Sequence, residues 1–236
     1  MTAPWRTGRT LAIEASGSLA GVALDENGRL LGEASVDTRC ARAELLLEMT
    51  RRLLEDLGLA PTDLDRVACS EGPGSFTGLR VAMASAFGLA AGAGVPVVPV
   101  SSLEVLAYPW RWSDEPIVVL SGHRRGQVYT AAYRWTGERF CPLITPSSQR
   151  ETVILEQAAM LAGSRLLFVG DALDSLAGPI RSRFGERAVL HSGGPARAAD
   201  VARLATDPAR SEWAGRMLEG RTPCYLRDAD ARKAKR

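Results

Sequence analysis

The chain has 236 residues, of which 46% are apolar and 24% charged, and its formal net charge at pH 7 is +2. That length suffices for one large domain, or for two of roughly 100–130 residues each. The balanced charge excludes a surface that is basic overall, as in proteins that bind nucleic acid through charge alone. The four cysteines lack zinc-site spacing and predict reduced thiols, hence a cytoplasmic protein. We expect no membrane association, since no apolar window reaches the length of a bilayer span.

The first hundred residues predict a compact unit with one mixed sheet. Three short strands, joined by a hairpin turn at Asp25-Glu26-Asn27-Gly28, form an antiparallel meander. Two helices then act as crossovers to two further strands, in the order β-β-β-α-β-α-β. The predicted elements are strands at 10–13, 19–24 and 30–36, a helix at 43–57, a strand at 67–70, a helix ending near 91 and a strand at 95–100.

A glycine-rich loop, Glu71-Gly72-Pro73-Gly74-Ser75-Phe76-Thr77-Gly78-Leu79-Arg80, links the strand at 67–70 to the following helix. Backbone N–H groups at a helix N-terminus can hold an anion, and Gly72, Gly74 and Ser75 are the candidate residues. The alternative is a sharp turn whose helix is capped by Ser75 or Thr77. No Gly-Lys-Ser/Thr follows, so the loop does not match a Walker-A phosphate loop.

The second half predicts further strands and two helices. The stretch 110–116 is the expected boundary between an N-terminal lobe, 1–109, and a C-terminal lobe, 110–236. Pro208 is expected to split or kink the last helix. The predicted elements are strands at 117–120, 128–133 and 140–144, a helix at 153–161, a strand at 165–169 and a helix at 198–218.

Two predicted helices carry more apolar surface than one packed face requires. In the helix at 43–57, Leu45, Leu47 and Leu54 widen the apolar stripe to about 200°, against roughly 100° for one buried face. The helix after the loop has no charged residue from Val81 to Gly92. Small residues in it would permit close approach of another helix: Ala82, Ala86 and Gly88.

Four explanations for this excess remain open. The helices could be covered by the second lobe, by a second copy of the chain or by a dedicated partner protein, or both could simply be interior. Among these we infer an extensive apolar interface through the two helices.

The sequence contains few of the motifs that are typical of catalytic sites. Its only histidines, His123 and His191, belong to no metal motif, and Ser75 lies in no G-x-S-x-G elbow. Two carboxylates, Glu14 and Asp171, follow predicted strands, where a hydrated magnesium ion could bind. The pattern favours a protein without catalysis of its own.

Several segments of the chain resemble motifs of the TsaB (YeaZ) family, which acts in tRNA threonylcarbamoyladenosine synthesis. The long Gly-Pro-Gly-Ser-Phe-Thr-Gly-Leu-Arg run is the most specific of the shared motifs. The similarity is dense over residues 10–106 and thin elsewhere. The segments that carry it are Leu11–Ser16, Glu44–Leu47, Gly72–Arg80, Gly88–Ala90, Pro96–Glu104 and Pro223–Arg227.

The resemblance implies an α/β actin-like (ASKHA, ribonuclease-H-like) fold of two related lobes. It also implies a non-catalytic subunit that binds and activates TsaD, with TsaE in a larger assembly and tRNA bound through the complex. ATP or threonylcarbamoyl-AMP and metal are then expected in the partner subunits and no cofactor in this chain. The same helices would form a homodimer without the partner, and a segment near Tyr225 would return to the N-terminal lobe.

In that family the contact with TsaD uses the two N-lobe helices. The interface expected here comprises Glu44, Leu45, Leu47, Leu54, Ser75, Thr77, Arg80, Ala82 and Ala86.

Two departures from the family pattern stand out. Glu14-Ala15-Ser16 replaces the usual Asp-Thr-Ser, and Arg42-Ala43-Glu44 replaces His-Ser/Thr-Glu. Since the family's first-strand aspartate positions magnesium in actin-like folds, its replacement weakens the alternative hypothesis, a nucleotide-binding ATPase or a peptidase acting alone.

Overall fold

The computed structural model describes residues 7–39, 43–163, 165–210, 224 and 226, and only the backbone of residues 43, 44 and 123. The predictions for Arg42, for the last helix beyond residue 210 and for Tyr225 lie outside these residues. Ten strands and six helices are described. The strands are β1 (Arg9–Glu14), β2 (Leu19–Glu26), β3 (Arg29–Asp37), β4 (Arg66–Gly72), β5 (Val97–Ser101), β6 (Ile117–Arg124), β7 (Gln127–Trp135), β8 (Phe140–Arg150), β9 (Leu166–Val169) and β10 (Ala188–His191). The helices are α1 (Ala43–Asp56), α2 (Phe76–Ala93), α3 (Ser102–Ala107), α4 (Glu151–Ala159), α5 (Leu173–Phe184) and α6 (Ala198–Leu204).

The strands form two five-stranded mixed sheets of the same topology. The first has the order β3-β2-β1-β4-β5 and the second β8-β7-β6-β9-β10. In each, a three-stranded antiparallel meander is followed by two strands parallel to its first strand. A helix also precedes each of the two parallel strands, and another follows the last. The predicted β-β-β-α-β-α-β order of the first half is confirmed, and the second half repeats it.

The layers of the molecule follow from which face each helix covers. Helices α1 and α2 pack on the outer face of the first sheet, and α4 and α5 cover the second sheet. Helix α3 contacts β6 and β7 of the second sheet, whereas α6 contacts β1 and β2 of the first. A single core between the sheets therefore joins the two halves, with Ala12 and Val98 on one side and Val119 and Tyr133 on the other.

Three elements were not predicted from the sequence. These are α3, α5 and β10. Helix α5 contains Pro179, which argued against a helix there, and β10 has only four residues, none of them fully buried. Helix α6 ends at Leu204, four residues before Pro208, in agreement with the predicted break of the helix at this proline.

The expectation that no apolar segment reaches the length of a bilayer span was wrong. By length and composition, helix α2 is apolar enough to cross a membrane. In the structure it packs against β4 and β1 of the first sheet, and its Leu79, Met83 and Phe87 side chains are buried there. This packing accounts for the apolar residues on the face of α2 that meets the sheet.

Candidate partner-binding surface and glycine-rich loop

The glycine-rich loop turns the chain from β4 into α2. Ser75 is the N-cap of the helix, as its hydroxyl accepts a hydrogen bond from the Gly78 N–H at 3.2 Å. Phe76, Thr77 and Arg80 follow on the first turn with exposed side chains. The Arg80 guanidinium carbon lies 3.7 Å from the centroid of the Phe76 ring, so the two side chains form a stacked pair at the helix start.

The loop packs closely against the backbone of the turn after β1. The Ser75 N–H donates to the Ser16 carbonyl oxygen at 2.8 Å. A Cβ at Gly74 would overlap that same oxygen, and one at Gly78 would overlap the Ala15 carbonyl oxygen. The glycines therefore permit close packing against the turn after β1, and the Ser75 N–H, a candidate donor to an anion, is already engaged by the chain itself.

The chain also returns to this loop near its end. The Cys224 N–H donates to the Glu71 carbonyl oxygen at 2.6 Å. A Cβ at Gly72 would lie 2.9 Å from the Cys224 carbonyl oxygen, so the backbone passes close over Gly72. The glycine at this position thus leaves room for the backbone of Cys224.

Glu14, the candidate magnesium ligand, is buried inside the first lobe. One carboxylate oxygen accepts hydrogen bonds from the Ser16 N–H and hydroxyl, and the other accepts from the Ser70 hydroxyl. Burial raises the pKa of Glu14, and these hydrogen bonds oppose the shift. Both oxygens are engaged by protein donors and the residue has no exposed surface, so this side chain does not fit a role as ligand of a hydrated metal ion.

The other polar candidates lie at one edge of the second sheet. Asp171 accepts a hydrogen bond from the Gly122 N–H at 2.9 Å, which ties the ends of β9 and β6 together. The His191 ring stacks on Trp110, with centroids 4.4 Å apart. The structure therefore gives these two residues local structural contacts.

Three residues of the predicted interface belong to the core of the first lobe. Leu54, Ala82 and Ala86 are buried between the helices and the sheet, so they do not lie on the surface and the prediction for them was wrong. Helical periodicity misplaced them because the apolar stripe of each helix is wider than the face that meets the sheet, and only the packing shows which part of the stripe is buried. Leu45 is half-buried, and the side chain of Glu44 lies outside the described part.

A separate set of apolar residues on α1 and α2 is exposed. Leu47 retains 47% of its surface, and Phe76 retains 41%. Along α2, Thr77, Arg80, Ala84 and Gly88 follow one another on the outward face, three or four residues apart. We call Leu47, Phe76, Thr77, Arg80, Ala84 and Gly88 the outer face. The spacing from Arg80 would have identified Ala84 and Gly88 from the sequence.

A charged network on α1 borders the outer face. Arg51 pairs with Glu48 at 2.8 Å and with Glu55 at 2.5 Å, and Arg52 pairs with Glu48 at 2.6 Å. Hydrogen bonds from the two arginines lower the pKa of Glu48 to about 2. The outer face, in which Arg80 is the one charged member, thus lies beside a rim of paired charges, as in protein interfaces with an apolar centre and a polar rim.

Comparison with known proteins decides the family. The family model described as TsaD, tRNA N6-adenosine threonylcarbamoyltransferase, matches residues 38–196. TsaB from Escherichia coli is 31% identical over 163 residues, which cover 66% of this chain and 68% of that protein. The chain belongs to the TsaB (YeaZ) family. TsaB from Bacillus subtilis is 33% identical over 152 residues, 64% of this chain, and the match spans 62% of that relative's length.

Solved structures agree with this family and with the fold. YeaZ from Pseudomonas aeruginosa has a TM-score of 0.69 at 27% identity, covering 84% of this chain and 91% of that one. A second Pseudomonas aeruginosa protein, described as similar to peptidase YeaZ, has a TM-score of 0.75 at 25% identity, covering 94% and 100%. EutJ from Carboxydothermus hydrogenoformans, with a TM-score of 0.51 at 12% identity over 86% of this chain and 91% of that one, shares the fold alone. The predicted α/β fold with two mixed sheets flanked by helices is confirmed.

Proposed function

We propose that this chain is the non-catalytic subunit that binds and activates TsaD in tRNA threonylcarbamoyladenosine modification. The relatives named TsaB are described as proteins of that biosynthesis, and the family model that matches most of the chain is that of TsaD. In this proposal TsaE joins a larger assembly, tRNA binds through the complex, and the protein acts in the cytoplasm. Nucleotide and metal belong to the partner subunits.

The outer face is the observation that carries this proposal. The two helices contact the first sheet and each other rather than the second sheet, so the second lobe does not account for their excess apolar residues. Ala84 and Gly88 leave the α2 backbone accessible, which lets a partner helix approach closely. A homodimer through the same face is the alternative assembly when TsaD is absent.

The buried state of Glu14 supports a non-catalytic role. In this fold the first-strand carboxylate is the natural place for a metal ion, and here both of its oxygens accept hydrogen bonds from Ser16 and Ser70. The purified chain is expected to show negligible ATP hydrolysis alone and to restore tRNA modification when mixed with TsaD and TsaE. Robust hydrolysis by the chain alone, lost in Glu14→Ala, would refute the non-catalytic role.

The interface is tested by charged substitutions on the outer face. Leu47→Asp and Gly88→Arg place an unpaired charge in an apolar contact, so each is expected to weaken TsaD binding by about 2 kcal/mol or more, at least roughly 30-fold. Binding would be measured by affinity capture of the co-expressed TsaD homologue and by titration calorimetry.

The matched control is Met160→Asp, since Met160 is 86% exposed and lies beyond α4 on the other lobe. It is expected to bind TsaD as the unmodified protein does. Circular dichroism and thermal melting would confirm that all three variants fold. Retention of TsaD by both outer-face variants would show that the interface lies on another surface.

A further inference from the structure

The turn between the lobes carries a cluster of aromatic and cationic side chains. A short 3-10 turn, Tyr108–Trp110, leads into Arg111 and Trp112. Two backbone hydrogen bonds hold this turn, from the Arg111 N–H to the Tyr108 carbonyl at 3.2 Å and from the Ser113 N–H to the Trp110 carbonyl at 2.9 Å. The cluster is therefore built on a fixed piece of backbone.

Arg111 contacts the aromatic rings of two neighbouring residues. Its guanidinium carbon lies 4.1 Å from the Tyr108 ring centroid and 4.4 Å from the Trp112 ring centroid. One guanidinium nitrogen donates to the Tyr108 carbonyl oxygen at 3.0 Å. The side chain is thus positioned in advance, and little conformational entropy remains to be lost when a ligand binds.

Trp112 is the largest exposed apolar side chain among the described residues, at 75% exposure. Tyr108 and Trp110 are half-buried against the core between the sheets, so core packing accounts for an aromatic residue at these two positions. It does not account for the tryptophan at position 112. With Arg111 over part of its ring, Trp112 presents an open aromatic surface next to a fixed cation. The stacked pair of Trp110 and the exposed His191 lies beside the same turn.

From this arrangement we infer that Trp112, supported by Arg111, forms a stacking platform for an unpaired base of RNA. Unpaired RNA bases are recognised by stacking on aromatic rings and on arginine guanidinium planes. The inference rests on the proposed function, in which the complex acts on tRNA. It adds a contact surface in the second half of the chain, away from the outer face.

The surroundings of Trp112 favour RNA over a protein partner. Tryptophan and arginine are also enriched in protein interfaces, but there they lie in a desolvated apolar centre. The neighbours of Trp112 in the chain are instead Arg111, Ser113 and Asp114. The other exposed large apolar residues of the second lobe, including Leu143 and Met160, lie on or beside β8 and α4. Since Asp114 is also exposed, stacking rather than phosphate attraction is the main contribution expected.

The test uses the full chain assembled with its TsaD homologue and two labelled probes, an RNA hairpin with an unpaired loop and a fully paired RNA duplex. Trp112→Ala is expected to weaken hairpin binding by about 5- to 100-fold, the loss of one stacked base, as measured by fluorescence anisotropy. Trp112→Phe, which keeps a ring, should retain most of the affinity, and Met160→Ala should behave as the unmodified protein. Duplex binding should be the same in all four proteins.

Three results would overturn the inference: unchanged hairpin affinity in Trp112→Ala, equal loss for hairpin and duplex, or no binding of the hairpin by the unmodified complex. Loss of TsaD capture in Trp112→Ala would also overturn it and would make this turn a protein interface. The proposed function is judged separately, because it fails when the unmodified chain does not bind TsaD. Failure of the platform and failure of the proposed function therefore give different results.

Discussion

Glu14 is a fully buried carboxylic acid at the end of β1. Its place at the end of β1 was predicted, and a carboxylate there suggested a metal ion. The structure instead places the side chain in the interior, with Ser16 and Ser70 as donors. Ser70 lies 56 positions further along the chain, on β4, so no local pattern could have shown that it satisfies this carboxylate.

The buried Glu14 carboxyl predicts a pH-dependent stability. Its folded-state pKa lies above the ordinary value of 4.5, so the folded state binds the proton more tightly than the unfolded state. Stability from this group is then greatest below that ordinary value and falls as pH rises through the folded-state pKa. The loss amounts to about 1.4 kcal/mol for each unit by which the two pKa values differ.

Glu14→Gln removes this titration while keeping the shape of the side chain. Relative to the unmodified protein, we expect the variant to gain stability as the pH is raised from about 4 to 8, because only the unmodified protein must hold a buried charge. Urea unfolding across this range would measure the difference. A constant difference between the two proteins at every pH would show that Glu14 does not titrate in this way.

At the scale of elements, one of the two interpretations of the glycine-rich loop was a sharp strand-to-helix turn capped by Ser75 or Thr77, and the structure shows that turn with Ser75 as the cap. The close approach of the turn after β1 was not predictable, since it joins segments about 60 residues apart. Helix α5 was not predicted because Pro179 is unfavourable inside a helix. Strand β10 was not predicted because it has only four residues. The repeated topology supplies the missing signal: a helix is required between β9 and β10, as α2 is required between β4 and β5.

Two glycines of α2 give opposite predictions. At Gly78 a Cβ would overlap the Ala15 carbonyl oxygen, whereas at Gly88 a Cβ would meet no atom within 4 Å. Gly78→Ala is therefore expected to lower the free energy of unfolding by about 1–3 kcal/mol through overpacking. Gly88→Ala is expected to raise it by about 0.5–1 kcal/mol, because alanine restricts the unfolded chain and favours the helix.

Chemical denaturation of the isolated chain would measure both variants of α2. A Gly78→Ala protein as stable as the original would mean that the loop and the turn after β1 are not packed as described. A destabilised Gly88→Ala protein would mean that the outer face is already covered in the isolated chain, for example by a second copy.

At the scale of the whole molecule, the segment 197–210, which includes α6, connects the two halves. Helix α6 belongs to the second half in sequence but packs on the first sheet, and Glu33 of β3 accepts a hydrogen bond from the Ala199 N–H at its start. Arg197 pairs with the same Glu33 side chain. The sequence predicted two lobes but not this exchange of helices, because an apolar helix face does not show which sheet it will cover.

Arg210 forms the most enclosed of these links. It pairs with Glu104 of α3, and its guanidinium also donates to the Leu204 carbonyl oxygen at 2.7 Å. Glu71 lies close by: burial raises the pKa of its carboxyl, and Arg210 opposes the shift. One guanidinium therefore balances two carboxylates in a partly buried region.

Arg210→Met is expected to lower the free energy of unfolding by about 2–3 kcal/mol near neutral pH, since it leaves Glu104 partly buried without its partner. Without Arg210 the pKa of Glu71 rises further, so more protons are bound in the folded state and stability falls as pH rises. The deficit should thus be larger at pH 8 than at pH 5, in thermal and urea unfolding.

Adding Glu104→Gln should recover part of this loss of stability. The control is Arg39→Met, which breaks an exposed pair with Asp37 and should change stability little. An equal deficit at both pH values would show that Arg210 acts through packing alone.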